Sequence, residues 1–228
     1  MTIKEMHSWF DILQSKGLAI EFTSREKDHI LNRAQIKFVN EILQKKYLPS
    51  LKQTEREELV YSATDSVISG HDYIYPLLGR THTQNIASQW GGITFASINA
   101  SIDARLVALN VKPSGYYGSK FMMILGVADT DSELPLRYVN SIDVKKKETN
   151  VFRMSKNYDP TYSIGESEIT IRPYSYADGK PFIIYYIREP EPVHMSNDSA
   201  NRVNCELPNV THDEIMAIAL DDAGVATR

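Results

Sequence analysis

Phe182-Ile183-Ile184-Tyr185-Tyr186-Ile187, followed at once by Arg188-Glu189-Pro190-Glu191-Pro192, decides how this 228-residue chain is organised. The first six residues are β-branched or aromatic throughout. Such side chains suit a pleated, buried surface, so the run predicts a central strand. The next five cannot continue it. Proline has no backbone N–H for a sheet ladder and does not fit a helix interior. A β-rich region therefore ends near residue 190, and a different kind of chain begins.

Downstream, Ser, Asn and Asp dominate through Asn204, which predicts an extended arm over 191–210. A last helix follows over 211–228. Pro208 precedes it, Thr211 stands at its N-cap, and Asp213 and Glu214 complement the positive end of its dipole. Ile215, Met216, Ile218, Ala219 and Leu220 give it a broad apolar surface, and Gly224 ends it. Upstream, Asp178-Gly179 marks a turn, and Glu168 to Arg172 is a strand stopped by Pro173. Arg137 to Val139 and Phe121 to Val127 predict two more strands. Ser141 opens a short helix through Glu148. Ser97 to Ala108 alternates with period 2 and predicts a strand, although Ile98, Ile102 and Leu106 also fit a helix.

The first third reads as helices. Thr2 with Glu5, and Thr23 with Glu26, have the form of capping boxes, and each precedes an apolar stripe. Ile3, Met6, Phe10 and Leu13 form the first stripe; Leu31, Ala34, Phe38 and Ile42 form the second. Gly17 and Pro49 stop these helices. Thr54 with Glu57 opens a third that fades near Gly70. The expected fold class is α+β: an N-terminal helical region (1–70), a β-rich middle domain (71–190), the arm (191–210) and the C-terminal helix (211–228). The N-terminal helices and the last helix would form one helical body.

Composition removes several functions. Twenty-five Lys and Arg stand against 29 Asp and Glu, a net charge of −4, which argues against a protein that clamps duplex DNA. A single cysteine, Cys205, excludes an internal disulfide and a multi-cysteine zinc site. No apolar run approaches the roughly 20 residues of a membrane span. The expectation is a soluble protein made in a reducing compartment, with no membrane partner.

Catalytic signatures are missing: no P-loop, no Gly-x-Gly-x-x-Gly, no Gly-x-Ser-x-Gly and no His-Glu-x-x-His. His71, Asp72 and His82 could converge into a hydrolase-like site, against the plainer reading of loop histidines on a polar surface. His212-Asp213 reads as a solvent-facing cap. Nothing beside Cys205 lowers a thiol pKa, so it reads as structural. Asp129, Asp131 and Glu133 begin like a calcium loop, but Leu134-Pro135 stands where a sharp turn needs glycine, leaving an acidic surface turn. Lys145-Lys146-Lys147 reads as a solvated face. No catalytic, cofactor-binding or metal-ligating residue is expected. The 13 tyrosines, many of them in the β-rich middle, tilt the reading toward interfaces. Tyr116, Tyr117, Tyr174 and Tyr176, with Ile215, Met216, Ile218 and Ala219, are the interface candidates. Exposed tyrosines would also suit a carbohydrate-binding β-module.

The order of segments carries a resemblance. A short capped helix precedes a long one with Leu31-Asn32-Arg33-Ala34-Gln35-Ile36-Lys37-Phe38-Val39. A β-rich middle follows, with Asn150-Val151-Phe152-Arg153 and Glu168-Ile169-Thr170-Ile171-Arg172-Pro173. Tyr185-Tyr186-Ile187-Arg188-Glu189-Pro190, Cys205-Glu206-Leu207-Pro208 and Thr211-His212-Asp213-Glu214-Ile215 close the chain. This resembles the head–tail adaptor or ring proteins in the connector of crAss-like tailed bacteriophages. The resemblance implies a virion structural protein, not an enzyme, without cofactor. It would form a homo-oligomeric ring, typically of twelve copies, below the portal. Its partners would be the portal protein and other connector and tail proteins, with genomic DNA passing through the channel. It would be made in the host cytoplasm, and its arm would let the last helix reach a neighbouring subunit or the portal.

Overall fold

The computed structural model describes residues 1–15, 21–46, 73–82, 92–100, 121–140, 143–144 and 158–224. The protein is α+β, with helices at both ends and strands between. The chain divides into two compact units. The described residues up to 46, 73–77 and 189–224 form a helical unit; those from 78 to 188 form a β unit.

The helical unit begins with α1 (Ile3–Ser15) and α2 (Ser24–Lys46). Both capping boxes are made. The Thr2 N–H donates to Glu5 Oε2 at 2.7 Å, and the Glu5 N–H to Thr2 Oγ1 at 3.3 Å. Thr23 and Glu26 repeat the exchange at 2.8 and 3.4 Å. These bonds satisfy N–H groups that a helix start leaves without partners. Ile3, Met6 and Phe10 of α1 are buried, as are Leu31, Ala34, Phe38 and Val39 of α2. Phe10 meets the Phe22 ring edge-on, centroids 5.7 Å apart. Pro49 and the third helix expected after Thr54 lie outside the described residues.

Among the described residues the β unit holds two sheets. β1 (Leu78–His82), β3 (Phe121–Asp129) and β7 (Phe182–Arg188) make an antiparallel sheet with β7 in the centre. β2 (Gly92–Thr94), β4 (Arg137–Tyr138), β5 (Thr161–Ile164) and β6 (Glu168–Arg172) make the other, in the order β2-β6-β5-β4. Every residue of β7 is buried, as its β-branched and aromatic composition predicts. It pairs Tyr186 with Gly79 of β1 and Ile184 with Val127 of β3. Phe182, Ile184 and Tyr186 share one core with Val127, Ile169 and Ile171. Pro173 ends β6, and a short helix, α3 (Tyr174–Ala177), follows. Gly179 takes φ +70°, which the Asp178-Gly179 turn requires.

Residues 95–100 are helical, which corrects the start of the strand expected over Ser97 to Ala108. Thr94 starts the turn, with its Oγ1 accepting the Ser97 N–H at 3.3 Å and its carbonyl accepting the Ser97 hydroxyl at 2.7 Å. The rest of the expected strand, 101–108, lies outside the described residues.

After β7 the chain returns to the helical unit and ends in α4 (His212–Asp222). Gly224 follows at φ +72°. Ile215, Met216, Ala219 and Leu220 are buried and Ile218 is half-buried. Asp222 of α4 pairs with Lys37 and, at 3.4 Å, with Arg33, both on α2.

Candidate functional site

The densest polar construction in the helical unit lies along one face of α2. Asp28, Asn32 and Gln35 are spaced i, i+4 and i+7, so they stack along that face. All three grip the segment that follows β7. The Asn32 side-chain amide brackets Val193: its Nδ2 donates to the Val193 carbonyl at 3.1 Å, and its Oδ1 accepts the Val193 N–H at 2.6 Å. Asp28 accepts the Met195 N–H at 3.0 and 3.2 Å. The Cys205 thiol lies 3.2 Å from Gln35 Oε1. Met195 and Val193 are thus held by their main chain, and Val193 also buries its side chain.

Two histidines complete the Asp28 cluster. His7 of α1 is buried and places Nε2 2.8 Å from Asp28 Oδ1. His194 places Nδ1 3.2 Å from Oδ2. Burial holds the His7 pKa below its ordinary value, outweighing the pull of the Asp28 carboxylate. A neutral His7 therefore donates its Nε2–H to Asp28. Beside them, buried Lys27 pairs with Asp11. Both Asp28 oxygens have partners, so this carboxylate is built to hold a segment.

The segment is also organised within itself. His194 and Val203 exchange both backbone hydrogen bonds at 3.0 Å. Arg202 Nε donates to the Ser196 carbonyl at 2.7 Å, and the Glu191 N–H to Glu206 Oε1 at 2.7 Å. Asn204 Oδ1 accepts the Ile3 N–H of α1 at 2.9 Å. The residues expected as an extended arm are a connection seated on α1 and α2.

His212 overturns its expected place as a solvent-facing cap: it is 1% exposed. Its Nε2 is 2.8 Å from the Leu207 carbonyl, so that nitrogen carries the proton. Nδ1 then accepts from the Met1 ammonium at 2.7 Å, which also donates to Asn209 Oδ1 at 2.7 Å. Burial lowers the His212 pKa. Thr211 does not cap α4 with its hydroxyl, which donates to the Pro208 carbonyl at 2.8 Å.

In the β unit, Asp129 closes the end of β3. Its Oδ1 accepts the N–H groups of Asp131 at 2.8 Å and Ser132 at 3.3 Å. Its Oδ2 accepts the Tyr176 hydroxyl and lies 3.7 Å from Lys180 Nζ. Burial works against ionisation, but the Tyr176, Asp131 and Ser132 hydrogen bonds prevail and the Asp129 pKa falls. Burial and this carboxylate push the Tyr176 hydroxyl strongly up. The acidic turn needs no glycine at Leu134 because Glu133 takes the positive φ, +54°.

The interface candidates fall in three places. Ile215, Met216 and Ala219 are covered within the chain's own helical unit, so α4 offers no free apolar face there except the half-buried Ile218. Tyr176 is half-buried and bonded to Asp129, while Tyr174 is exposed, with the Arg172 guanidinium 5.7 Å from its ring centroid. Tyr116 and Tyr117 lie outside the described residues. Elsewhere Tyr162, Tyr185 and Tyr186 are core residues, and Tyr158 is 80% exposed. His82 is exposed at the end of β1; His71, Asp72 and the Lys145–Lys147 run lie outside the described residues. Burial pushes the Cys205 thiol up to about 11, as befits a structural cysteine. Among the described residues no group of three or more His, Cys, Asp or Glu could hold a metal ion, and no helix is long and apolar enough to cross a membrane.

Sequence reasoning missed Asp28, Asn32 and Gln35 as a set. The signal was present: three polar residues at helical spacing beside a strong apolar stripe, with Gln35 buried between Ala34 and Phe38. No protein-family model matches the chain, and no curated protein matches it.

Proposed function

We propose that this chain is a structural virion protein of a phage head–tail connector, forming a ring below the portal that bridges portal and tail around the DNA channel. The segment order resembles such proteins over most of the chain. The observation that carries the reading is how the buried polar groups are used. Asp28, Asn32, Gln35, His212 and Asp129 each bond to main chain or to a neighbouring side chain across a connection. Polar groups in that state fasten segments. Exposed Trp9 and Ile12 on α1, and exposed Leu134, Tyr158 and Tyr174 in the β unit, supply contact surface for other chains. The net charge of −4 suits a conduit that must not hold phosphate.

Native mass measurement tests the reading, on the purified protein alone and mixed with a portal protein of a crAss-like phage. A ring, alone or on the portal, is expected. A chain that stays monomeric and leaves the portal unbound would overturn it.

A further inference from the structure

Five strand ends meet at one end of the β unit. Asp129, the last residue of β3, pairs with Phe182, the first of β7. Thr161, the first of β5, pairs on one side with Arg137, the first of β4, and on the other with Arg172, the last of β6. The register therefore gathers three connections there: 130–136, 158–160 and 173–181. They carry exposed large side chains: Leu134 is 59% exposed, Tyr158 80% and Tyr174 37%. Connections at the end of a sheet scaffold are where binding residues collect.

The three connections are braced. Asp129 accepts the Asp131 and Ser132 N–H groups of the first and the Tyr176 hydroxyl of the third. Arg137, which closes the first, pairs with Asp159 of the second at 2.9 Å. Within the third, Lys180 lies over the Tyr176 ring, 4.2 Å from its centroid. A surface held in this way has little freedom left to lose on binding.

Charge selects the partner. The basic side chains at this end are already engaged: Arg137 by Asp159, Lys180 by Asp129 and Tyr176, and Arg172 by the Tyr174 ring. Asp131, Glu133 and Asp178 are exposed and form no ion pair with a described residue. Unpaired negative charge thus stands beside tyrosine rings, and a ring face also attracts a cation. Phosphate-bearing ligands are repelled here, whereas arginine and lysine gain from both features. Their long aliphatic stems can cover Leu134 and Tyr158 while their charged heads reach the carboxylates.

We propose that this end of the β unit docks an extended basic segment of a partner protein. The inference gives the exposed surface of the β unit its partner chemistry, and it holds whether or not the chain forms a ring. Fluorescence anisotropy on the full chain tests it, with a labelled alternating Arg-Pro peptide, its Glu-Pro counterpart, and cellohexaose as an uncharged competitor. Saturable binding of the Arg-Pro peptide alone is expected. Tyr158→Ala should weaken it about fivefold, and the triple variant Asp131→Ser, Glu133→Gln, Asp178→Ser about tenfold, with Tm unchanged. A second triple variant, Asp213→Asn, Glu214→Gln, Asp221→Asn, removes the same charge from the exposed face of α4 and should change affinity less than about twofold. Equal weakening by both triple variants would reduce the binding to net charge and overturn the site. No binding, or equal binding of the Glu-Pro peptide, would overturn it too. Displacement of the peptide by cellohexaose, lost in Tyr158→Ala, would give the surface to a saccharide instead.

Discussion

Asn32 shows how much one side chain can decide. A side-chain amide can donate to a residue's carbonyl through its nitrogen while accepting that residue's N–H on its oxygen, as Asn32 does for Val193. Asn32→Ala leaves both Val193 groups without that partner, at a cost of about 2 kcal/mol. The expected result is a lower urea midpoint for the helical unit, with faster hydrogen exchange at 189–207; unchanged exchange there would show that Asn32 does not hold the segment. Gly79 makes a different argument, from space. A Cβ there would sit 2.7 Å from the Tyr186 ring and hydroxyl, and Tyr186 is buried and cannot swing away freely. Gly79→Ala is therefore expected to cost about 1–3 kcal/mol through overpacking, read as a drop in Tm. Cys205 should be inert to a thiol reagent at pH 8 until the protein unfolds, since its thiol titrates near 11. Rapid labelling of folded protein would contradict the burial.

At the scale of elements, the strongest predictions were those in which local chemistry and packing agree. The Thr2–Glu5 and Thr23–Glu26 boxes are legible because they satisfy the backbone just before a stripe that faces the core, and the run Phe182 to Ile187 because every residue of it is buried in a sheet. β1 and β5 were missed. Leu-Gly-Arg-Thr-His carries little strand propensity of its own and its pairing comes from β7, distant in sequence; Thr-Tyr-Ser-Ile favours a strand but is only four residues long and pairs with the neighbouring β6. The arm was legible as extended chain, but not its anchoring: Val193, Met195 and Cys205 bond α2, Asn204 bonds α1, and Asn201 bonds Asp198. The face of α4 can be tested by position. Ile215 is fully buried while Ile218 is only half-covered. Ile215→Asp should therefore cost about 4 kcal/mol and detach α4, whereas Ile218→Asp should cost much less. Far-UV circular dichroism and urea titration check the order; equal losses would mean that α4 is not seated as described.

For the whole molecule, the division into two units was half visible. The break at Arg188–Pro190 is written in the sequence, but that the tail returns to complete the N-terminal helices is a long-range fact, settled by Asp28, Asn32 and Gln35. The two units carry different titrations. In the helical unit, burial holds His7 and His212 neutral, with pKa values below the ordinary 6.5. His7 faces Asp28, Lys27 and Asp11; His212 faces the Met1 ammonium and Asp213. As pH falls through 6.5, the unfolded chain binds protons at these two histidines and the folded chain resists, so stability is lost on the acid side of 6.5. In the β unit, Asp129 has a lowered pKa, and its contribution persists at all pH above the ordinary 3.8, failing only below it. Acidification should therefore loosen the helical unit first. Peptide-resolved hydrogen exchange at pH 7.5, 5.5 and 4.5, corrected for the intrinsic rate, is expected to show 1–46 and 189–224 losing protection while β3 and β7 keep theirs. His7→Gln, which cannot take a proton, should flatten part of that loss. A single transition in which both units open at the same pH would contradict the assignment of the buried histidines to one unit and of the Asp129 clasp to the other.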